Sequence, residues 1–66
     1  MTIKELVERQ PKHIQRKMEE YKTAYNNLPD RRDETRSRMA GYVLGLRDAN
    51  VITERERQQL FVYMTV

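Results

Sequence analysis

The segment Leu46-Arg-Asp-Ala-Asn-Val-Ile-Thr-Glu-Arg-Glu56 carries the signals for the end of one helix and the start of the next. Asparagine readily adopts the left-handed conformation that ends many helices, so Asn50 marks the end of the first helix. Thr53 followed by Glu56 is a capping box, which begins a helix. We therefore predict a hairpin of two helices between residues 39 and 66, with its turn at 49–52.

The length and composition of the chain narrow the choice of fold. Sixty-six residues make one domain, and we expect residues 1–66 to form a single helical unit. A chain of this size buries only about 60% of the surface of its unfolded state. Because it contains no cysteine, packed helices or a dimer must supply its stability. Two glycines and two prolines are too few for a turn-rich β fold.

Apolar residues recur with helical spacing upstream of the hairpin. Between Pro11 and Asn27 they occupy two positions in every heptad, which is typical of a packed helix. Asn26-Asn-Leu-Pro-Asp30 breaks this helix, because a residue before proline is disfavoured in the helical region. Thr2 with Glu5 is a second capping box, so a helix can also begin near Ile3, with Pro11 interrupting it.

These patterns predict an all-α fold, a small bundle of two long helices and a shorter C-terminal helix from Glu54 to about Met64. The two C-terminal elements form the helical hairpin. The predicted core consists of residues on the apolar stripes: Ile14, Met18, Tyr21, Tyr25, Leu28, Met39, Tyr42, Val43, Leu46, Ile52, Leu60, Phe61 and Met64.

The charged residues suggest a binding surface. Arginine outnumbers lysine by nine to four at a net charge of +3, and arginine presents a planar fork to carboxylates and phosphates. Four arginines crowd the start of the second long helix, where cations oppose the helix dipole. They form either a basic patch for phosphate or an acidic protein, or a solvated face paired with neighbouring carboxylates. The candidate partner-binding residues are Arg31, Arg32, Arg36 and Arg38, and a second group of Arg9, Lys12 and Arg16.

Two glycines and the C-terminal helix are candidates for helix packing or oligomerisation. Each mid-helix glycine costs about 1 kcal/mol relative to alanine, which suggests the close approach of another helix, from this chain or a partner. The C-terminal helix is apolar on all sides from residue 60 to 64, so we expect burial on more than one side. The candidate residues are Gly41, Gly45, Phe61, Val62, Tyr63 and Val66.

The sequence favours no catalytic chemistry. His13 and Ser37 are the only residues of their types, and neither has companions at a spacing typical of a nucleophile or a metal site. We expect no enzyme activity, no metal and no cofactor. No apolar run approaches the roughly 20 residues that span a bilayer, and the N-terminus is charged. We therefore expect a cytoplasmic protein with no membrane partner.

Two resemblances extend these predictions. The stretch from Leu46 to Glu56 resembles the hairpin of the short C-terminal (SHOCT) oligomerisation domains, although Asn50 stands where glycine is usual. That resemblance implies self-association, for example as a homodimer. In size, charge and helical content the chain also resembles small helical proteins of bacterial phages and mobile elements. Some of those proteins inhibit host defence nucleases, as anti-CRISPR proteins do.

The leading hypothesis is a non-enzymatic interaction protein that binds a macromolecular partner. We expect that partner to be a protein, for example one that handles nucleic acid, and the chain to act as a phage or mobile-element inhibitor or adaptor. The alternative is a small dimeric nucleic-acid-binding protein that uses its arginine-rich helix. We do not expect base readout by the last helix, because its exposed positions include Glu54 and Glu56.

Overall fold

In the computed structural model, which describes residues 2–66, the chain forms four α-helices and one short 3₁₀ turn. Those residues contain no strand, so the predicted all-α class is confirmed. The predicted bundle of three helices is joined by a fourth, the short helix that the Thr2–Glu5 signal predicts, and Pro11 separates it from the next helix. The helices are α1 (Ile3–Arg9), α2 (Lys12–Asn27), α3 (Arg32–Asp48) and α4 (Glu54–Thr65), with the 3₁₀ turn (Pro29–Arg31) between α2 and α3.

Side-chain caps begin α1 and α4. The Thr2 hydroxyl accepts a hydrogen bond from the Glu5 backbone N–H at 3.1 Å. At α4 the capping box is complete, since Thr53 Oγ1 accepts from the Glu56 N–H at 3.1 Å while Glu56 Oε1 accepts from the Thr53 N–H at 2.9 Å. Each cap satisfies backbone donors that have no partner within the helix. Both predicted helix starts are thereby confirmed.

The end of α3 has the geometry that its sequence predicts. Asn50 has a φ of 61°, and it is the only residue among 2–66 with a positive φ. The Asn50 N–H donates to the Arg47 carbonyl, and the Val51 N–H donates to the Leu46 carbonyl, each at 2.9 Å. This pair of bonds is the Schellman arrangement, which satisfies the last carbonyls of a helix. It turns the chain so that α4 packs against α3.

The core forms around α4, against which α1, α2 and α3 all pack. Leu60 and Met64 of α4 are fully buried. Thus α4 packs against both long helices, which also contact each other, and burial on more than one side is found at residues 60 and 64 but not at Val62, which is 50% exposed. The buried apolar residues are Leu6, Ile14, Met18, Met39, Val43, Ile52, Leu60 and Met64, and the half-buried residues against them are Val7, Tyr21, Tyr25, Tyr42, Leu46, Phe61 and Tyr63.

The predicted core is wrong at Leu28, which follows α2, and at Leu6 in α1. Leu28 is 49% exposed, because it is the residue that ends α2 and its backbone has left the helical conformation. The helix ends at Asn27, one residue before the next apolar position of the heptad pattern, so that position is not buried. The prediction also omits Leu6, which is 1% exposed and packs in the core. Leu6 is buried more deeply than Val7, and α1 is a separate helix that ends before Pro11.

The two glycines of α3 lie on its exposed face. A Cβ atom added to Gly41 or Gly45 would meet nothing within 4 Å. The interpretation that they admit a helix of the same chain is therefore wrong. Close approach by a partner's helix stays a prediction.

We expect Leu60→Ala and Leu28→Ala to lower the free energy of unfolding by very different amounts, although both remove the same atoms. Leu60 is fully buried, so its truncation leaves a cavity and should lower the free energy of unfolding by roughly 2–5 kcal/mol. Leu28 is about half exposed, and its truncation should change that energy by about 0.5 kcal/mol or less. Urea unfolding followed by circular dichroism measures both. Equal losses in the two variants would contradict this description of the core.

We expect Gly41→Ala and Gly45→Ala each to raise the free energy of unfolding of the isolated chain by about 1 kcal/mol. Both positions are helical and open, so the methyl group meets no atom of this chain. Thermal unfolding at two protein concentrations provides the measurement. A destabilisation that grows with protein concentration would instead place these glycines in contact with a second chain.

Candidate interaction surface

Four arginines begin α3 and the 3₁₀ turn before it, and we call Arg31, Arg32, Arg36 and Arg38 the arginine surface. Pro29 starts the 3₁₀ turn with its fixed backbone angle, and the turn leads directly into α3. All four residues are exposed. Arg32 and Arg36 are four residues apart on one helix, so they lie on the same face. The fold thus brings Arg32 and Arg36 together, whereas Arg38 is two residues from Arg36 and projects from another side of α3.

Tyr25, in the last turn of α2, holds two members of this surface. Arg32 Nε donates to the Tyr25 carbonyl at 3.0 Å, and Arg36 Nη2 donates to the Tyr25 hydroxyl at 3.0 Å. The Arg32 and Arg36 guanidinium carbons also lie 5.1 Å and 5.8 Å from the centre of the Tyr25 ring. At these distances a guanidinium is attracted to the negative face of an aromatic ring. One tyrosine therefore orients both arginines.

Carboxylates engage part of the arginine surface. Arg38 Nη2 pairs with Glu34 at 2.6 Å, and Arg36 Nη1 lies 3.5 Å from Asp33. The Arg31 guanidinium forms no hydrogen bond or ion pair with any residue in 2–66. The interpretation as a solvated face paired with carboxylates therefore applies to Arg36 and Arg38, and partner binding stays a prediction. Arg38 belongs to a solvated ion pair, whereas Arg31 and the outer nitrogens of Arg32 face solvent with their donors unused by the described residues.

The second predicted group is divided by the fold. Arg9 Nη2 pairs with Glu56 at 2.6 Å and joins α1 to α4, so Arg9 has a structural partner. Lys12 and Arg16 are exposed on the outer side of α2. Arg16 also borders a shallow open groove on that helix. The groove is lined by Arg16, Glu19, Glu20, Thr23, Ala24, Asn27 and Leu28.

The predicted C-terminal oligomerisation residues also separate into two sets. Phe61 and Tyr63 pack against the core of their own chain. The Tyr63 hydroxyl donates to Glu19 at 3.1 Å, Lys22 Nζ lies 4.0 Å from the ring centre, and partial burial raises the pKa of Tyr63 above its ordinary value. Val62 and Val66 are 50% and 80% exposed. These two valines are the most exposed of the four C-terminal candidates, and their contact with a second chain stays a prediction.

The first turn of α4 carries two carboxylates that serve the fold. Glu54 accepts hydrogen bonds from Arg57 at 2.5 Å and from Arg47 at 2.5 Å, and these bonds hold its pKa well below the ordinary 4.5. The pKa of Glu56 is also lowered, first by the Thr53 backbone N–H and further by Arg9. Both groups lie at the positive end of the helix dipole, where anions are favoured.

Sequence reasoning does not find the role of Tyr25. The heptad pattern assigns it to the core, where it does pack on one side. Its contacts to Arg32 and Arg36 span 7 and 11 residues and depend on how α2 meets α3. The only advance signal is the chemical one, an aromatic residue shortly before a group of arginines. Within 2–66 no three His, Asp or Glu side chains group as metal ligands, and no helix there is long and apolar enough to cross a membrane.

We expect the free energy of unfolding to fall as the pH drops below about 4.5 and Glu54→Gln to reduce this loss. The pKa of Glu54 is lower in the folded chain than in the unfolded chain, so the unfolded chain binds the proton first. The stabilisation is complete above the unfolded pKa of about 4.5 and is lost as the pH falls toward the folded pKa. Urea unfolding at about pH 7 and about pH 3 measures it. Glu20→Gln is the control, because Glu20 makes only a 3.8 Å contact with Lys17. An equal pH dependence in both variants would contradict the assignment.

Comparison with protein-family models, with curated proteins and with solved structures gives no match for this chain. The resemblances to oligomerisation hairpins and to phage proteins therefore stay predictions. What the chain binds must follow from its own residues and contacts.

Proposed function

We propose that this chain is a non-enzymatic interaction protein that binds a partner protein through its arginine surface. The single observation that carries the proposal is the arrangement around Tyr25. Arg32 and Arg36 are oriented by that residue, and Arg31 beside them has no partner among residues 2–66. Arginines engaged only by internal ion pairs would serve solubility alone. A pre-oriented set with unused donors is instead suited to recognition.

A protein suits this surface better than a nucleic acid. Residues 29–38 contain four arginines and three carboxylates, so the segment has a net charge of only +1. Asp30 and Asp33 are exposed among the arginines. A phosphate backbone carries a negative charge at every nucleotide and would be repelled by these carboxylates. A protein can place its own cations opposite them, as complementary interfaces do.

The size, charge and helical content that the chain shares with small proteins of phages and mobile elements suggest what the binding achieves. We propose an inhibitor or adaptor that acts in the cytoplasm by occupying a surface of its partner, for example a protein that handles nucleic acid. Such a role requires a stable fold and a complementary surface but no catalytic group. The exposed Val62 and Val66 would serve a further contact, including a homodimer.

Capture of partners from a bacterial lysate tests the proposal. The tagged wild-type chain is compared with Arg31→Glu/Arg32→Glu, which reverses two charges of the arginine surface. We expect the variant to recover at least about tenfold less partner because like charges then oppose the partner's carboxylates. Nuclease treatment of half the lysate should leave the wild-type recovery unchanged. Mass spectrometry identifies and quantifies the captured proteins.

Two control variants carry the same change in charge. Lys12→Glu/Arg16→Glu alters the second basic group on α2, and Lys4→Glu/Arg55→Glu alters exposed residues outside both groups. Circular dichroism confirms that each variant is folded. If the α2 variant alone loses the partner, the proposed surface is wrong. If nuclease treatment abolishes recovery of the partner by the wild-type chain, the result supports the alternative of nucleic-acid binding.

A further inference from the structure

We infer that Arg32 and Arg36, held on Tyr25, form a preformed site for a carboxylate side chain on the partner protein. The inference rests on the proposed function and specifies the chemistry of the contact. The site combines two guanidinium groups from one face of α3 with an aromatic ring from α2. Its ligand is an aspartate or glutamate of that partner with a basic residue close by.

The donors that remain on the two arginines fit this ligand. A guanidinium has five N–H donors in a fixed plane. Arg32 uses Nε toward the Tyr25 carbonyl, which leaves both of its outer nitrogens. Arg36 uses Nη2 toward the Tyr25 hydroxyl, and Nη1 has only the 3.5 Å contact with Asp33. A carboxylate accepts two parallel N–H bonds from one such fork.

The contacts with Tyr25 reduce the cost of binding. A free arginine loses side-chain conformational freedom when it docks, and this entropy loss opposes binding. Here each guanidinium is already tied to Tyr25 by one hydrogen bond and by its position over the ring. Tyr25 is therefore a positioning residue, which acts on the ligand through the two arginines.

The surrounding charges decide between a protein carboxylate and a chain of phosphates. The Asp33 carboxylate is fully exposed and stands 3.5 Å from Arg36. A single carboxylate bound at the arginine pair, with a lysine or arginine opposite Asp33, leaves both charges paired. A nucleic-acid strand would place a second phosphate about 3.4 Å further along the helix axis and toward that carboxylate. The site therefore favours an acidic residue with a basic neighbour.

Nuclear magnetic resonance of the full chain tests the inference with probes of known composition. The first probe is an alanine-based helical peptide that carries glutamates and lysines, and the second is the same peptide with glutamine in place of every glutamate. The third is a duplex DNA of about 20 base pairs. We expect the glutamate peptide to shift the Nε–H resonances of Arg32 and Arg36 and to bind at least about tenfold more tightly than the glutamine peptide. Equal binding of the two peptides, or tighter binding of the DNA, would overturn the inference.

Variants separate geometry from charge. Arg32→Lys/Arg36→Lys keeps both charges but removes the fork, so we expect at least a tenfold weaker affinity for the glutamate peptide. Arg55→Lys is the matched control and should bind as the wild type does. Tyr25→Leu should also weaken binding of the glutamate peptide. If Tyr25→Leu does not fold, Arg32→Lys/Arg36→Lys still tests the site. Wild-type affinity in the double lysine variant would refute the site.

Failure of this inference differs from failure of the proposed function. If the lysate partner is lost with Arg31→Glu/Arg32→Glu but retained by Arg32→Lys/Arg36→Lys, the interaction surface stands and the carboxylate site does not. If the wild-type chain captures no partner, the proposed function fails whatever the peptides show.

Discussion

The packing of three helices onto α4 is the contact on which the rest of this structure depends. Leu60 and Met64 are buried where α1, α2 and α3 meet α4, and burial of such a side chain contributes about 1.5–3 kcal/mol. An exposed ion pair contributes only about 0–1 kcal/mol. The apolar contact therefore holds the bundle together. The pairs Arg9–Glu56 and Arg47–Glu54 contribute mainly by fixing how the ends of the helices align.

Local chemistry made much of this fold predictable from the sequence. Asn50 and Thr53 act through hydrogen bonds to residues close to them in the chain, so their roles can be predicted from the amino-acid sequence. The sequence pattern does not predict the burial of Leu6 or the exposure of Leu28, because both depend on where Pro11 and Pro29 interrupt the helices. A heptad pattern carries no information about such a shift in phase between two segments.

The candidate site was predictable in its members but not in its organisation. The group from Arg31 to Arg38 is visible in the sequence, yet its link to Tyr25 exists only after α2 and α3 have packed. The same limit explains why the sequence does not show which way Gly41 and Gly45 face. Helix propensity shows that each glycine is costly, whereas the direction in which it faces is a property of the assembled bundle.

Three of the eight buried apolar residues of the core are methionines. Met18, Met39 and Met64 are all fully buried, and methionine is unbranched and polarizable, so it fits irregular spaces between helices. Because peroxide converts an accessible methionine to a polar sulfoxide, the folded chain shields these three sulfurs from oxidation. Their oxidation would proceed only as the bundle opens, and a sulfoxide at any of them would hinder its closing again. The stability of the fold therefore depends on whether these methionines have been oxidised, although the chain contains no cysteine.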